Sequence, residues 1–157
     1  MSGADRKLRG YLDTSVFGGV YDAGFDEASR AIVARVAEGR MVAMVGATTL
    51  AELSLAPERV QDVFHSLPRT SVFLCPITRA VEALRDEYLA ARVLGEASLD
   101  DATHVATATV HDADVVVSWN FKHIVNLGRI RGFNSVNVGL GYKAMTIISP
   151  LELLYAE

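Results

Sequence analysis

Short apolar runs recur along this chain at residues 8–12, 41–45, 72–75, 115–117 and 145–148. The run Val115-Val116-Val117 and the run Met41 to Val45 contain no polar position at all. A short run that is apolar on both faces predicts a parallel strand covered by helices on each side. Between these runs the period changes. Ala28, Ala31, Ile32 and Val36 form the inner side of a helix over 25–38, and Gly39 stands where a C-terminal cap belongs. Val81, Leu84, Tyr88 and Ala91 follow one another at helical spacing, which predicts a helix over 78–94 closed by Gly95. Another helix opens near Thr48. Pro57 interrupts it, a shorter one continues to Leu67, and Pro68 ends that segment. Residues 99–108 read as a buried helix with two acids in its first turn. The Asn- and Gly-rich stretch after Asn120 reads as irregular, Gly18 and Gly19 as a loosened turn, and Asp112 and Asp114 as solvated turn residues.

Strands alternating with helices imply an α/β protein: a three-layer α/β/α sandwich around a central parallel sheet of about five strands. The expected strand order is 3-2-1-4-5. Sites in such sheets form beyond the carboxyl ends of the strands, where the order reverses. Here that is between the first and fourth strands. No repeat, linker or low-complexity tract divides the chain, so residues 1–157 are expected to form a single domain.

Several acids fall at that edge. Asp13 ends the first strand, Glu52 follows the second, and Asp101 opens the helix that feeds the fourth; Asn120 lies just past the fourth. Each has an ordinary explanation. Asp13 and either Asp100 or Asp101 are favoured helix caps, and Thr49-x-x-Glu52 fits a capping box. Their coincidence at one edge is harder to explain that way. Two carboxylates about 5 Å apart repel by roughly 3 kcal/mol at an effective dielectric near 20. Three together call for a cation or a protonated acid. A hard divalent ion bound through a few carboxylates suits this composition, and such a site suits phosphoryl chemistry. Competing chemistries lack their residues: there is no Gly-x-Ser-x-Gly elbow and no phosphate-binding glycine loop, and the four histidines and one cysteine lie at no zinc spacing.

Half of the 157 residues are hydrophobic and 22% are charged, the composition of a folded domain. The lone Cys75, read as a small buried hydrophobe, allows no intrachain disulfide and points to a reducing compartment. No apolar run approaches the roughly 20 residues of a membrane span. Residues 1–7 also lack the apolar centre of a signal peptide, so the expected location is cytoplasmic. The net charge of −4 conceals an asymmetry. From Val115 to Leu151 there is no acid, while Lys122, Arg129, Arg131 and Lys143 supply cations. With His123 and the aromatics Trp119, Phe121, Phe133 and Tyr142, this segment has what single-stranded RNA binding requires. Trp119 and Phe121 are nonetheless expected in the core, and Lys122, Arg129 and Arg131 on phosphates.

The ordered motifs Tyr11-Leu12-Asp13-Thr14-Ser15, Ala51-Glu52-Leu53 and Asp101 to Ala108 resemble those of PIN domains, the VapC-type toxin ribonucleases in particular. The segment Ser118-Trp119-Asn120-Phe121-Lys122-His123-Ile124 resembles the signature of one PIN subgroup. The resemblance covers essentially the whole chain. It implies Mg²⁺- or Mn²⁺-dependent cleavage of single-stranded RNA, restraint by a cognate antitoxin protein, and a homodimer. Apolar stretches around Val16-Phe17 and the 78–94 helix are candidates for the dimer surface. By position, Asp13, Glu52 and Asp101 would be the metal-binding acids, and Thr14 or Ser15 would orient Asp13 or a metal water. Asp100 would serve as support or as a second capping acid. Asn120 would occupy a fourth catalytic position where many members carry Asp, offering an oxygen without its charge. His104, three residues after Asp101, would border the site or pack as a hydrogen-bonded core histidine. A PIN fold that holds RNA or a protein without cutting, and a phosphatase acting on small esters, are the competing readings.

Overall fold

The computed structural model describes residues 6–156. At its centre, β1 (Leu8–Leu12) lies between β2 (Met41–Gly46) and β4 (Val115–Val117). The edges are β3 (Val72–Cys75) and β5 (Thr146–Ile148). All four pairings are parallel and the order is β3-β2-β1-β4-β5, as the alternation of strands and helices implies. The reversal of strand order falls between β1 and β4.

The side-chain period of two sorts each strand onto two cores. Tyr11, Met44, Val116 and Ile147 face one layer, with α5 (Arg79–Ala90), α6 (Leu99–Val110) and α7 (Leu127–Gly139). Leu12, Val45 and Val117 face the other, with α1 (Thr14–Gly19), α2 (Asp26–Ala37), α4 (Glu58–His65) and α8 (Pro150–Tyr155). Between β2 and α4 runs α3 (Ala47–Ser54). Gly39, at φ +73°, takes the left-handed turn that lets α2 return into β2.

Several local expectations need correcting. The stretch after Asn120 is not irregular: residues 127–139 form a full helix. Its inner face runs Ile130, Phe133, Val136 and Asn137, and a polar residue at the last position hides the period. Asn137 is fully buried because the Tyr88 hydroxyl donates to its Oδ1 at 2.5 Å. Asn134 accepts from the Met145 amide at 2.6 Å and donates to its carbonyl at 3.0 Å, tying α7 to β5. Gly132 is required by contact, since a Cβ there would lie 2.9 Å from the Val93 side chain. Gly18 and Gly19 belong to α1, whose Val16 and Phe17 are fully buried, so they offer no dimer surface. The 78–94 helix ends at Ala90, with Arg92 in the left-handed region. Asp114 is not a free turn residue, because it accepts from Arg6 at 2.9 Å and from the Arg9 amide at 2.8 Å. Among the described residues no helix is long and apolar enough to cross a membrane. The first five residues of the expected leaderless N-terminus lie outside the described residues.

Leu84→Ala empties part of the α5–α6 layer and should lower unfolding free energy by about 2–5 kcal/mol. Leu55→Ala, at a side chain 90% exposed, should change it by less than about 0.5 kcal/mol. Urea denaturation of the two variants against the parent protein measures both.

Candidate active site at the β1–β4 edge

Tyr11 pairs with Val116 across the central strands, so continuing the register sets Asp13 opposite Ser118. Both share the strand face of Tyr11, towards α6. Asp13 is almost fully buried at the N-cap of α1. Its Oδ1 accepts from the Ser15 amide at 3.2 Å and the Ser15 hydroxyl at 2.5 Å, and its Oδ2 accepts from the Ser118 hydroxyl at 2.8 Å. The cap reading and the site reading are therefore both true of Asp13. Burial pushes its pKa up; the charge of His104 and the two serine hydrogen bonds oppose the rise, and Glu52 adds to it.

Glu52 does not close a capping box, since the N-cap of α3 is Gly46 and not Thr49. Its Oε1 instead receives the Thr14 hydroxyl at 2.9 Å and His104 Nε2 at 2.6 Å. Thr14 thus orients Glu52, and Ser15 orients Asp13. Burial works to raise the Glu52 pKa, but the His104 hydrogen bond, the His104 charge and Thr14 together bring it below the ordinary carboxylate value. His104 is 2% exposed, and its Nδ1 meets the Tyr11 hydroxyl at 2.7 Å. A carboxylate only accepts, so the proton on Nε2 faces Glu52. Burial opposes a charge on His104, yet the Glu52 hydrogen bond and the fields of Asp13, Glu52 and Asp101 raise its pKa above the ordinary value. Gly46 leaves room for this arrangement: a Cβ there would collide with the Tyr11 hydroxyl.

Asp101 and Asp100 both sit in the first turn of α6, behind the N-cap Ser98, and neither is assigned as its cap. Asp100 is exposed, whereas Asp101 is half-buried. Burial raises the Asp101 pKa, with Asp13 and Glu52 adding to the rise while His104 and His123 oppose it. Asn120 closes the set. Its Nδ2 donates to Asp101 Oδ1 at 3.1 Å, and its Oδ1 accepts from the His123 amide at 2.9 Å. The Asn120 side chain therefore steers Asp101 and caps the turn that follows.

Asp13, Glu52, Asp101 and Asn120 thus share one neighbourhood, and the acids feel one another's charge. Among the described residues, no three His, Cys, Asp or Glu side chains lie close enough as they stand to form a metal cage. Two carboxylate oxygens, Glu52 Oε2 and Asp101 Oδ2, accept no hydrogen bond from any described residue. An all-oxygen set with free oxygens fits Mg²⁺ or Mn²⁺, which take few carboxylates and complete their shells with water and phosphate oxygens.

The basic segment is more divided than its composition suggests. Lys122 and Arg131 are exposed, and half-buried His123 lies near Asp101. Arg129 donates to the Val93 carbonyl at 2.5 Å, and Lys143 pairs with Asp112 at 3.5 Å. Trp119 is in the core, stacked on Phe25 at 4.2 Å and donating to Ser29 at 2.8 Å. Phe121 is 49% exposed, contrary to expectation, and meets the buried Trp119 edge-on at 6.1 Å. Sequence reasoning weighed His104 but assigned it no partner, and it missed Tyr11 and Ser118. One signal was present: residues 11 and 13 fall on the same face of a strand.

No family model matches the chain, and no curated protein does. Solved structures do match in fold. The VapBC2 complex from Rickettsia felis, bound to a DNA fragment from its promoter, is 13% identical at a TM-score of 0.56. That match covers 89% of this chain and 97% of the other. The FitAcB structure from Neisseria gonorrhoeae is 16% identical at 0.57, covering 90% and 98%. VapC20 of Mycobacterium tuberculosis, a sarcin-ricin-loop-cleaving toxin, is 18% identical at 0.56, covering 73% and 92%. The chain has the PIN/VapC-type fold.

Ser118 binds the buried carboxylate of Asp13 and also accepts from the Asn120 amide at 2.9 Å. Ser118→Ala should therefore destabilise the protein by about 1–3 kcal/mol, measured by urea denaturation.

Proposed function

We propose that this chain is a Mg²⁺- or Mn²⁺-dependent endoribonuclease that hydrolyses phosphodiester bonds in single-stranded RNA. In the cell it is the toxin-like member of a toxin–antitoxin pair, a single cytoplasmic domain that forms a homodimer and is restrained by a cognate antitoxin protein. The observation that carries this reading is the set of three acids at the β1–β4 edge, two of them with an oxygen left without a hydrogen bond. The likeness in fold to the VapBC2 complex and the sarcin-ricin-loop-cleaving toxin VapC20, over most of their length, supports it.

Asp13, Glu52 and Asp101 are the residues that hold the ion. When bound, it supplies an activated water and neutralises charge on the scissile phosphate. The protein's own part is placement. Ser15 and Ser118 fix Asp13, Thr14 fixes Glu52, and Asn120 fixes Asp101. Lys122, His123 and Arg131 bind the phosphate backbone. Arg129 serves that purpose only where its guanidinium reaches past the Val93 carbonyl. Asp100 adds a negative charge beside the site at the start of α6.

One observation favours a second reading, a PIN fold that binds RNA or protein without cutting. The Asn120 oxygen already accepts from the His123 amide, and its amide brings no charge to the fourth position.

A labelled unstructured RNA incubated with purified protein and Mn²⁺ tests the proposal. Cleavage by the wild type, lowered about 100-fold or more in Asp13→Asn and in Asp101→Asn, is the expected result. Equal cleavage by both variants assigns the activity to a contaminant. Retained RNA affinity without product favours the binding module. Asn120→Asp should cut more slowly than wild type, because it replaces the donor facing Asp101 with a like charge.

A further inference from the structure

The least expected group at this edge is a fully enclosed histidine with both ring nitrogens engaged. His104 extends from α6 between β1 and α3, with the Tyr11 hydroxyl on Nδ1 and Glu52 Oε1 on Nε2. Behind Tyr11 stands Thr49, whose hydroxyl lies 3.5 Å from both the Tyr11 hydroxyl and the Leu12 carbonyl. The chain of contacts runs from the backbone of β1 through Thr49, Tyr11 and His104 to Glu52. Among the described residues no other buried group holds Glu52: its other partner, Thr14, is only partly covered, and the Glu52 side chain is 38% exposed. A glutamate on a helix has three rotatable side-chain bonds. Free, it would swing into solvent, away from the like charges of Asp13 and Asp101.

We propose that His104 is a positioning residue for Glu52: its Nε2–H pins Oε1, so that Oε2 is the oxygen presented to a divalent ion, and Tyr11 fixes the ring from behind. The inference rests on the metal-site reading given above and adds to it the residue that holds the third acid in place. His104 is not itself a ligand, because neither nitrogen has a free lone pair directed at the acids while Nε2–H faces Glu52 and Nδ1 faces Tyr11. Its contribution is to make Glu52 available without reorganisation when the ion arrives.

Two substitutions separate holding Glu52 from merely filling the core. In His104→Gln the side-chain amide reaches the place of Nε2 and donates to Glu52, while the contact to Tyr11 is lost. In His104→Asn the shorter amide reaches only the place of Nδ1, so Tyr11 keeps a partner and Glu52 does not. Both variants are neutral, and both remove part of the ring. Mn²⁺ chloride is titrated into each full-length protein in a calorimeter, after thermal melting shows that the protein is folded. The expected result is Mn²⁺ affinity within about threefold of wild type for His104→Gln, and about tenfold or more weaker for His104→Asn. Tyr11→Phe, which leaves Nε2 in place, falls between them. Equal Mn²⁺ affinity in the wild type, His104→Gln and His104→Asn overturns the proposal and leaves the metal site standing. Equal weakening in both histidine variants also overturns it, since loss of packing alone would then suffice. Absence of Mn²⁺ binding by the wild type overturns the metal-site reading and this inference together. Should either histidine variant not fold, the Glu52→Gln variant replaces it. Glu52→Gln alone should weaken Mn²⁺, and Tyr11→Phe should have no further effect in its background if His104 acts through Glu52.

Discussion

A carboxylate buried to 5% exposure at the end of a central strand is the constraint from which this edge of the molecule follows. Asp13 cannot lose its water without partners, because an unpaired buried charge is among the costliest features a fold can carry. Its partners come from three places: the amide and hydroxyl of Ser15 two residues on, the hydroxyl of Ser118 across the β1–β4 ladder, and the field of His104 from α6. Satisfying it therefore joins β1, β4 and α6 at one point. The parallel register supplies the geometry, since Tyr11 opposite Val116 sets Asp13 opposite Ser118.

Two further acids come within range, Asp101 from α6 and Glu52 from α3. Burial and the neighbouring acids push the pKa of both Asp13 and Asp101 upward, while His104 pulls that of Glu52 downward. The three carboxylates are thus not equivalent. Glu52 has the His104 ring at hydrogen-bond distance. Asp101 has only an amide at hydrogen-bond distance, and Asp13 has hydroxyls and one backbone amide. Asp13 feels the charge of Glu52, and Asp101 feels that of both, so a cation among the three relieves repulsion at each aspartate.

The parts that the sequence revealed and those it concealed divide along physical lines. Val115-Val116-Val117 and Met41 to Val45 are apolar on both faces, and only a strand between two helical layers accommodates that, so the sheet and its order were legible. The helix over 127–139 was not. Its core positions include Asn137, its close contact with Val93 demands Gly132, and both residues read as loop signals when the partner is unseen. Asp13 and Asp101 were legible as candidates because one ends a strand and the other opens a helix feeding one, whereas Glu52 lies six residues past β2, within α3. The arrangement around His104 was not. It links residues 38 to 93 positions apart, through contacts that only the packing of α3 and α6 against β1 creates. Charge counting misled in a related way, for Arg129 and Lys143 add to the basic segment but are engaged with a carbonyl and with Asp112.

The segment from Ser118 to Ile124 shows how such couplings are kept local. Ser118 takes Asp13, the Trp119 amide donates to Ser15 at 2.9 Å while its indole takes Ser29, and Asn120 takes Asp101. Ile124 is fully buried, and its amide and that of Val125 return to the Asn120 carbonyl at 3.2 and 2.8 Å. Consecutive residues are thus assigned to α1, α2 and α6 in turn. A shift in any one of those helices must pull on the same short loop. Phe121 and Lys122, by contrast, are turned outward. An aromatic face and an ammonium group beside the acid cluster, on a loop whose other residues are committed to holding it, are free to meet a partner without disturbing the carboxylates.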